Sequence, residues 1–165
     1  MAITFNSDEV FEMAIRIESN GAAFYRKAAG MQSDAENKKF LEGLAAMEDQ
    51  HQKTFAEMRK TLTEADKVGT VFDPYNEASQ YLAAMADTLG GEGSPTVADA
   101  LTGKETLEDI LRTALGLEKD SILFYLGVKD MVPPNYGQEK IDEIIREEKR
   151  HVAQLAGLLR KVKET

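Results

Sequence analysis

Glu48-Asp49-Gln50-His51 and Glu148-Lys149-Arg150-His151 are the stretches that decide how this chain folds. They stand at an offset of 100 residues and contain both of its histidines. Each histidine follows a glutamate by three positions. Residues three apart on a helix share a face, so each stretch presents a carboxylate and an imidazole together. Upstream, the same offset joins Glu18 to Glu118 and Phe24–Tyr25 to Phe124–Tyr125. In each half, seven residues separate glutamate from tyrosine and thirty separate the first glutamate from the second. Elsewhere the halves read as weakly similar, so the echo keeps a polar constellation on a helical frame.

That frame is legible in the apolar spacing. Helices are expected over about 8–29, 34–62, 103–131 and 138–162, with a crossover over 63–102. Val10, Phe11, Ala14, Ile17 and Phe24 mark the inner face of the first, which Ser7 opens and Gly30 stops. Ser33–Asp34–Ala35–Glu36 reads as a capping box for the second, whose stripe is Phe40, Leu41, Leu44, Met47, Phe55 and Met58. Thr102–Gly103–Lys104–Glu105 is a second box, ahead of Leu107, Ile110, Leu111, Leu115, Ile122 and Leu126. Pro133–Pro134 ends that helix, and Ile141, Ile144, Ile145, Val152, Leu155 and Leu159 line the fourth. In the crossover, Asp73–Pro74 opens a short helix bearing Tyr81, Leu82 and Met85, which ends at Gly90–Gly91. Ser94–Pro95 starts one more turn. The expected fold is all-α: two antiparallel helical hairpins joined by a long crossover containing a short helix, the ferritin-like form of the four-helix bundle.

Composition narrows the function. A chain of 165 residues with 42% apolar content fits one domain over 1–165. It has no cysteine, which excludes disulfides, thiolate metal sites and cysteine nucleophiles. A net charge of −9 opposes binding to nucleic acid or to anionic membrane. No window reaches a membrane span, and the N-terminal residues lack a basic-then-apolar leader, so the expected location is cytoplasmic.

The polar constellation points to metal. Each hairpin supplies two glutamates and one histidine, and joining them gives four carboxylates and two imidazoles. Bundle two-metal carboxylate sites have this composition. Glu18 and Glu118 are expected as terminal ligands, Glu48 and Glu148 as bridges, and His51 and His151 as one ligand to each ion. Two divalent ions would neutralise the four carboxylates. The donor set suits two iron ions, and also admits manganese or zinc. Tyr25 and Tyr125 lie two turns from a glutamate, within reach of a ligand on the facing helix; ordinary core packing accounts for them equally well. Met13, Met47 and Met58 read as core filler, and Arg16, Arg112 and Arg150 as surface charges or ion-pair partners. Glu147 is expected to point away from the site. Asp49 and Asp120 fall off the matched inward positions.

These residues resemble the rubrerythrin branch of the ferritin-like superfamily over essentially the whole chain. The resemblance rests on Glu18 with Phe24–Tyr25, Glu48 with His51, Glu118 with Phe124–Tyr125, and Glu148 with His151. It implies a non-haem diiron oxidoreductase that reduces hydrogen peroxide or dioxygen, with Glu18, Glu48, Glu118, Glu148, Tyr25 and Tyr125 serving catalysis. It also implies a homodimer, in which the long crossover would permit helix exchange. Two departures matter. The four-cysteine rubredoxin domain is missing, so the electrons must come from an external donor protein. Ser121 stands where rubrerythrins carry an extra glutamate. The alternatives are therefore an iron-binding, ferroxidase, storage or delivery protein, and a metal-stabilised structural bundle.

Overall fold

A computed structural model describes residues 6–64, 75, 77–88, 96–132 and 137–164. Among them run six helices: α1 Ser7–Gly30, α2 Ala35–Lys60, α3 Glu77–Thr88, α4 Val97–Ala100, α5 Leu107–Met131 and α6 Gln138–Glu164. The four long ones pair as two hairpins, α1 with α2 and α5 with α6. α1 also packs on α5, and α2 meets α6 more sparsely, which closes the bundle. The short helices belong to the crossover, α3 resting on α5 and α4 on α1. The architecture is the all-α, two-hairpin, ferritin-like one.

Local chemistry sets the helix ends, and it moves several of the expected boundaries. Asn6, not Ser7, caps α1: its side chain accepts the Glu9 N–H while Glu9 accepts the Asn6 N–H, both at 2.9 Å. Gly30 is still helical; Met31 caps the helix in right-handed geometry, donating to Ala28 and Ala29. Asp34, not Ser33, caps α2 by accepting the Asn37 N–H at 2.8 Å. Only half of the Thr102–Glu105 box forms: Glu105 accepts the Thr102 N–H at 2.9 Å, but the Thr102 hydroxyl oxygen accepts the Lys104 N–H at 3.3 Å in place of the Glu105 N–H. It starts no helix, because Gly103 sits at φ 86°, in the left-handed region. A second box, Thr106 with Asp109, opens α5 at Leu107 instead of at about 103. Thr96 caps α4. The stops and starts expected at Asp73–Pro74, Gly90–Gly91, Ser94–Pro95 and Pro133–Pro134 lie outside the described residues.

The internal echo reaches deeper than the polar residues. Val10, Phe11, Phe55, Phe124, Tyr125 and Ile141 belong to one buried cluster. Their partners at the offset of 100, Ile110, Leu111, Leu155, Phe24, Tyr25 and Leu41, all belong to the other. The halves thus match in packing as well, which identity alone hides because Val stands for Ile and Phe for Leu. The offset exchanges the two clusters. An approximate two-fold axis therefore crosses the bundle between them, and α1 runs antiparallel to α5. Burying each such side chain is worth about 1.5–3 kcal/mol. Along every long helix the polar ligand candidates fall between a residue of one cluster and a residue of the other.

One expected core residue faces outward: Leu126 is 46% exposed, beside Leu123 at 47%. Phe124, Tyr125 and Val128 take the inner positions of that segment, and α3 covers a different strip. Gly127 marks that strip. A Cβ there would stand 2.6 Å from the Tyr81 ring and 3.2 Å from Leu82, so a larger residue would hold α3 off α5.

Candidate metal centre

Among the described residues seven polar or charged side chains are buried, and six of them, Glu18, Glu48, His51, Glu118, Glu148 and His151, lie between the apolar clusters. Each is at most 5% exposed. The helix register explains the convergence. Glu48 and His51 are one turn apart on α2, as Glu148 and His151 are on α6, while Glu18 and Glu118 project from α1 and α5. The side chains assemble as two overlapping groups of potential ligands: Glu18, Glu48, His51 and Glu148, and Glu48, Glu118, Glu148 and His151. Within each group, one donor atom per residue lies within 4.8 Å of all the others. Glu48 and Glu148 occur in both. Three members of each group come from one hairpin and the fourth from the other.

Each imidazole turns Nδ1 inward. His51 Nδ1 lies 2.9 Å from Glu148, 3.3 Å from Glu18 and 3.7 Å from Glu48. His151 Nδ1 lies 3.0 Å from Glu148, 3.5 Å from Glu118 and 3.8 Å from Glu48. Glu18 Oε2, His51 Nδ1 and Glu148 Oε1 are buried with no hydrogen-bond partner. Buried polar atoms are almost always partnered, and an unpartnered one costs about 1–3 kcal/mol. Two carboxylate oxygens and an imidazole nitrogen that crowd together without hydrogen-bond partners are a set of potential donors gathered in one place. Cations placed there would satisfy all three. The donor set, carboxylates with imidazole and no thiolate, suits iron, manganese or zinc.

The electrostatics agree. Burial raises the Glu48 carboxyl above the usual carboxylate range, and the neighbouring Glu18 raises it further. Burial does the same to Glu148. Burial alone would lower the two imidazoles, but the facing carboxylates outweigh it. His151 is pushed up to about 10 by Glu118 and Glu148. His51 is raised further still, by Glu148, Glu18 and Glu48. Without metal, protons compensate the cluster; a divalent ion must displace them.

The tyrosines tie the hairpins together. Tyr25 on α1 donates its phenol proton to Glu118 on α5. Tyr125 on α5 donates to Glu18 on α1. Burial, and then the surrounding carboxylates, push both phenols well above their usual range, so both stay protonated donors. Phe55 and Phe124 pack on the Tyr125 ring at centroid distances of 5.0 and 5.7 Å.

Glu147 is the residue that the sequence reading misplaces. Its Oε2 lies 2.6 Å from His51 Nε2, so it reaches from α6 to the outer nitrogen of a ligand candidate on α2. The available signal was a difference between the halves: the offset sets Glu147 against Met47. Met47 is only partly buried and lines a groove between α2 and α6 instead of filling the core. The other side assignments hold simple positions. Arg16 pairs with Glu12, Arg112 with Glu108, Arg150 with Glu147, and Asp49 with Arg26. Met58 is buried, and Met13 packs against the same cluster.

A small cavity of about 20 Å³ touches the centre between α1 and α5. Gly21, Ser121, Tyr25, Glu48 and Glu118 line it. It can seat one water-sized molecule. Ser121 and Gly21 are offset partners, so the space sits close to the approximate two-fold axis.

Residues 6–161 match the family described as "Ferritin-like domain". A solved structure from Thermotoga maritima, of a protein proposed to be a ferritin-like diiron-carboxylate protein, superposes with a TM-score of 0.78 at 25% identity. The match covers 98% of this chain and 99% of that one. No curated protein matches the sequence. Among the described residues, no helix is long and apolar enough to cross a membrane.

Proposed function

The chain belongs to the ferritin-like domain family, and on that premise we propose that it is a non-haem diiron oxidoreductase, rubrerythrin-like, that reduces hydrogen peroxide or dioxygen with electrons from an external donor. The observation that supports this best is the pair of overlapping, fully buried ligand groups that share Glu48 and Glu148. Glu18 with His51 would complete one half and Glu118 with His151 the other, with Glu48 and Glu148 between them. Bound iron would supply the redox chemistry that cleaves an O–O bond. The chain's own residues do the rest. Its two apolar clusters flank the centre and keep bulk water out. Tyr25 and Tyr125 hold Glu118 and Glu18 in place by donating to them. The cavity beside Gly21 and Ser121 brings a water-sized space, the scale of a small oxidant, up to Glu48 and Glu118. Reducing peroxide to two waters consumes two electrons and two protons, both from outside the chain. A homodimer accompanies this reading by resemblance.

A second reading, oxidation and handling of ferrous iron, is favoured by Ser121. It lines the cavity where the rubrerythrin resemblance calls for an extra carboxylate. One experiment separates the two. Protein from iron-supplemented anaerobic growth is assayed for metal, then mixed with stoichiometric peroxide or dioxygen while ferric absorption is followed. About two irons per chain, oxidised faster by peroxide than by dioxygen, with both properties lost in Glu48→Ala and His151→Ala, is the expected result. Faster oxidation by dioxygen would favour the ferroxidase. Fewer than one metal per chain, or a full site inert to both oxidants, would refute the oxidoreductase.

A further inference from the structure

The two halves of the centre repeat each other in ligands but not in what stands behind them. His51 is hydrogen-bonded at its outer nitrogen: Nε2 meets Glu147 at 2.6 Å, while Nδ1 faces Glu148 at 2.9 Å without a hydrogen bond. His151 is hydrogen-bonded at its inner nitrogen. Its Nδ1 faces Glu148 at 3.0 Å, whereas its Nε2 has no hydrogen-bond partner among the described residues. The offset partner of Glu147 is Met47, whose thioether cannot replace a carboxylate. His151 instead borders a groove of about 820 Å³ between α2 and α6. Phe40, Leu44 and Met47 form its wall, and Lys39 and Arg150 stand at its rim. His51 does not border it.

A carboxylate behind an imidazole fixes which nitrogen carries the proton. With Nε2–H donated to Glu147, the Nδ1 lone pair of His51 is committed to the centre. The carboxylate also makes the imidazole a stronger donor to a cation. Losing such a partner typically weakens metal binding 10–100-fold. The ring of His151 lacks that outer carboxylate, and it is the imidazole that borders the groove, whose lining also includes Glu147.

We propose that the two half-sites are inequivalent: Glu147 makes the His51 half the tight one, and the His151 half, open to the α2–α6 groove, is where metal ions load and leave. Glu147 is a positioning residue acting through His51. The inference rests on the reading that the six buried residues hold two metal ions.

The test uses metal-free, full-length protein titrated with Co²⁺ and followed by ligand-field absorption and calorimetry. Two steps are expected, separated by about 10–100-fold in affinity. His151→Ala should abolish the weak step and His51→Ala the strong one. Glu147→Gln should weaken the strong step by about 10–100-fold, bringing the two together. Met47→Glu, which gives His151 the partner it lacks, should tighten the weak step. In chelator competition, one ion should leave the wild type quickly and the second slowly, and both should leave Glu147→Gln quickly. Two ions that bind with a single affinity would overturn the inference and leave the two-metal reading standing. So would a gap that survives Glu147→Gln, because it would then come from repulsion between the ions. Uptake of fewer than two ions would bring down the two-metal reading and the inference with it. Thermal unfolding of each metal-free variant separates a lost site from a lost fold.

Discussion

Replacing Tyr25 or Tyr125 by phenylalanine removes one oxygen and keeps the ring. Both rings are buried, and their aromatic packing survives the change: the edge contact with Phe24 at 5.4 Å for Tyr25, and the contacts with Phe55 and Phe124 for Tyr125. The loss is therefore confined to the hydrogen bond and to the carboxylate oxygen left without a donor. Glu18 is 1% exposed and gains no replacement donor from bulk water, whereas Glu118 lines the small cavity, where one water can replace part of the lost bond. A bond to a charged group, broken in a buried site, costs about 1.5–3 kcal/mol, so Tyr25→Phe should fall at the lower end of that range. In a 165-residue chain, each kcal/mol moves Tm by about 2–4 °C, so each variant should melt roughly 3–12 °C lower. The assay is thermal and urea unfolding of metal-free protein, with the urea slope checked for constancy. A deficit below about 0.5 kcal/mol, the size of an ordinary surface change, would refute the cross-hairpin bonds as structural ties. A deficit present only in the metal-loaded protein would do so too.

Other expectations are simpler to check. Arg59 grips both oxygens of Asp8 at 2.7 Å and also reaches Glu12, tying the end of α2 to the start of α1. Because the pair is partly exposed, Arg59→Ala should cost only about 0.5–1 kcal/mol, and less when denaturation is repeated in high salt. Gly21 lies inside α1, and a Cβ there would meet Glu48 at 3.5 Å, an ordinary contact. Gly21→Ala should then raise stability by about 0.5–1 kcal/mol without reducing metal uptake, and a loss of either would show that the cavity cannot spare the space. Glu105 is held down to about 2, first by the Thr102 N–H and then by its hydroxyl. A lowered carboxylate stabilises above its ordinary range and loses that contribution as pH falls towards about 2, so the Thr102 and Gly103 amides should lose protection over that interval. A Glu105 carboxyl that titrates by NMR at the ordinary 4.5 would refute the turn's geometry.

How far the sequence could be read depended on what kind of contact was involved. The long helices follow from apolar periodicity, and the six buried polar residues from an offset that pairs identical residue types. Side chains three and seven apart on a helix have their directions fixed by its geometry. The helix starts were harder, because several capping patterns competed within a few residues. Thr102 and Thr106 both begin a box pattern, but only Thr106 completes one, and the left-handed φ of Gly103 keeps the first from opening the helix. The deeper repeat in the core stayed hidden because packing conserves volume and burial, not letters. Leu126 was misplaced because the inward arc of α5 passes through its neighbours Phe124, Tyr125 and Val128. Glu147 was missed for a different reason. Its role depends on the distance between α2 and α6 and on a residue of another helix, which no spacing within α6 encodes.

Each ligand group takes three residues from one hairpin and its fourth from the other, and α2 touches α6 only sparsely. On the two-metal reading, ion binding and the docking of the hairpins are thermodynamically one event. A free ion at 100 times its dissociation constant would add about 2.7 kcal/mol to the union of the halves. A chain nicked in the crossover would then behave as a heterodimer whose association, already favoured by the shared apolar clusters, is tightened by the ion and loosened by a chelator. The metal concentration of its surroundings would be written directly into how long the molecule stays folded.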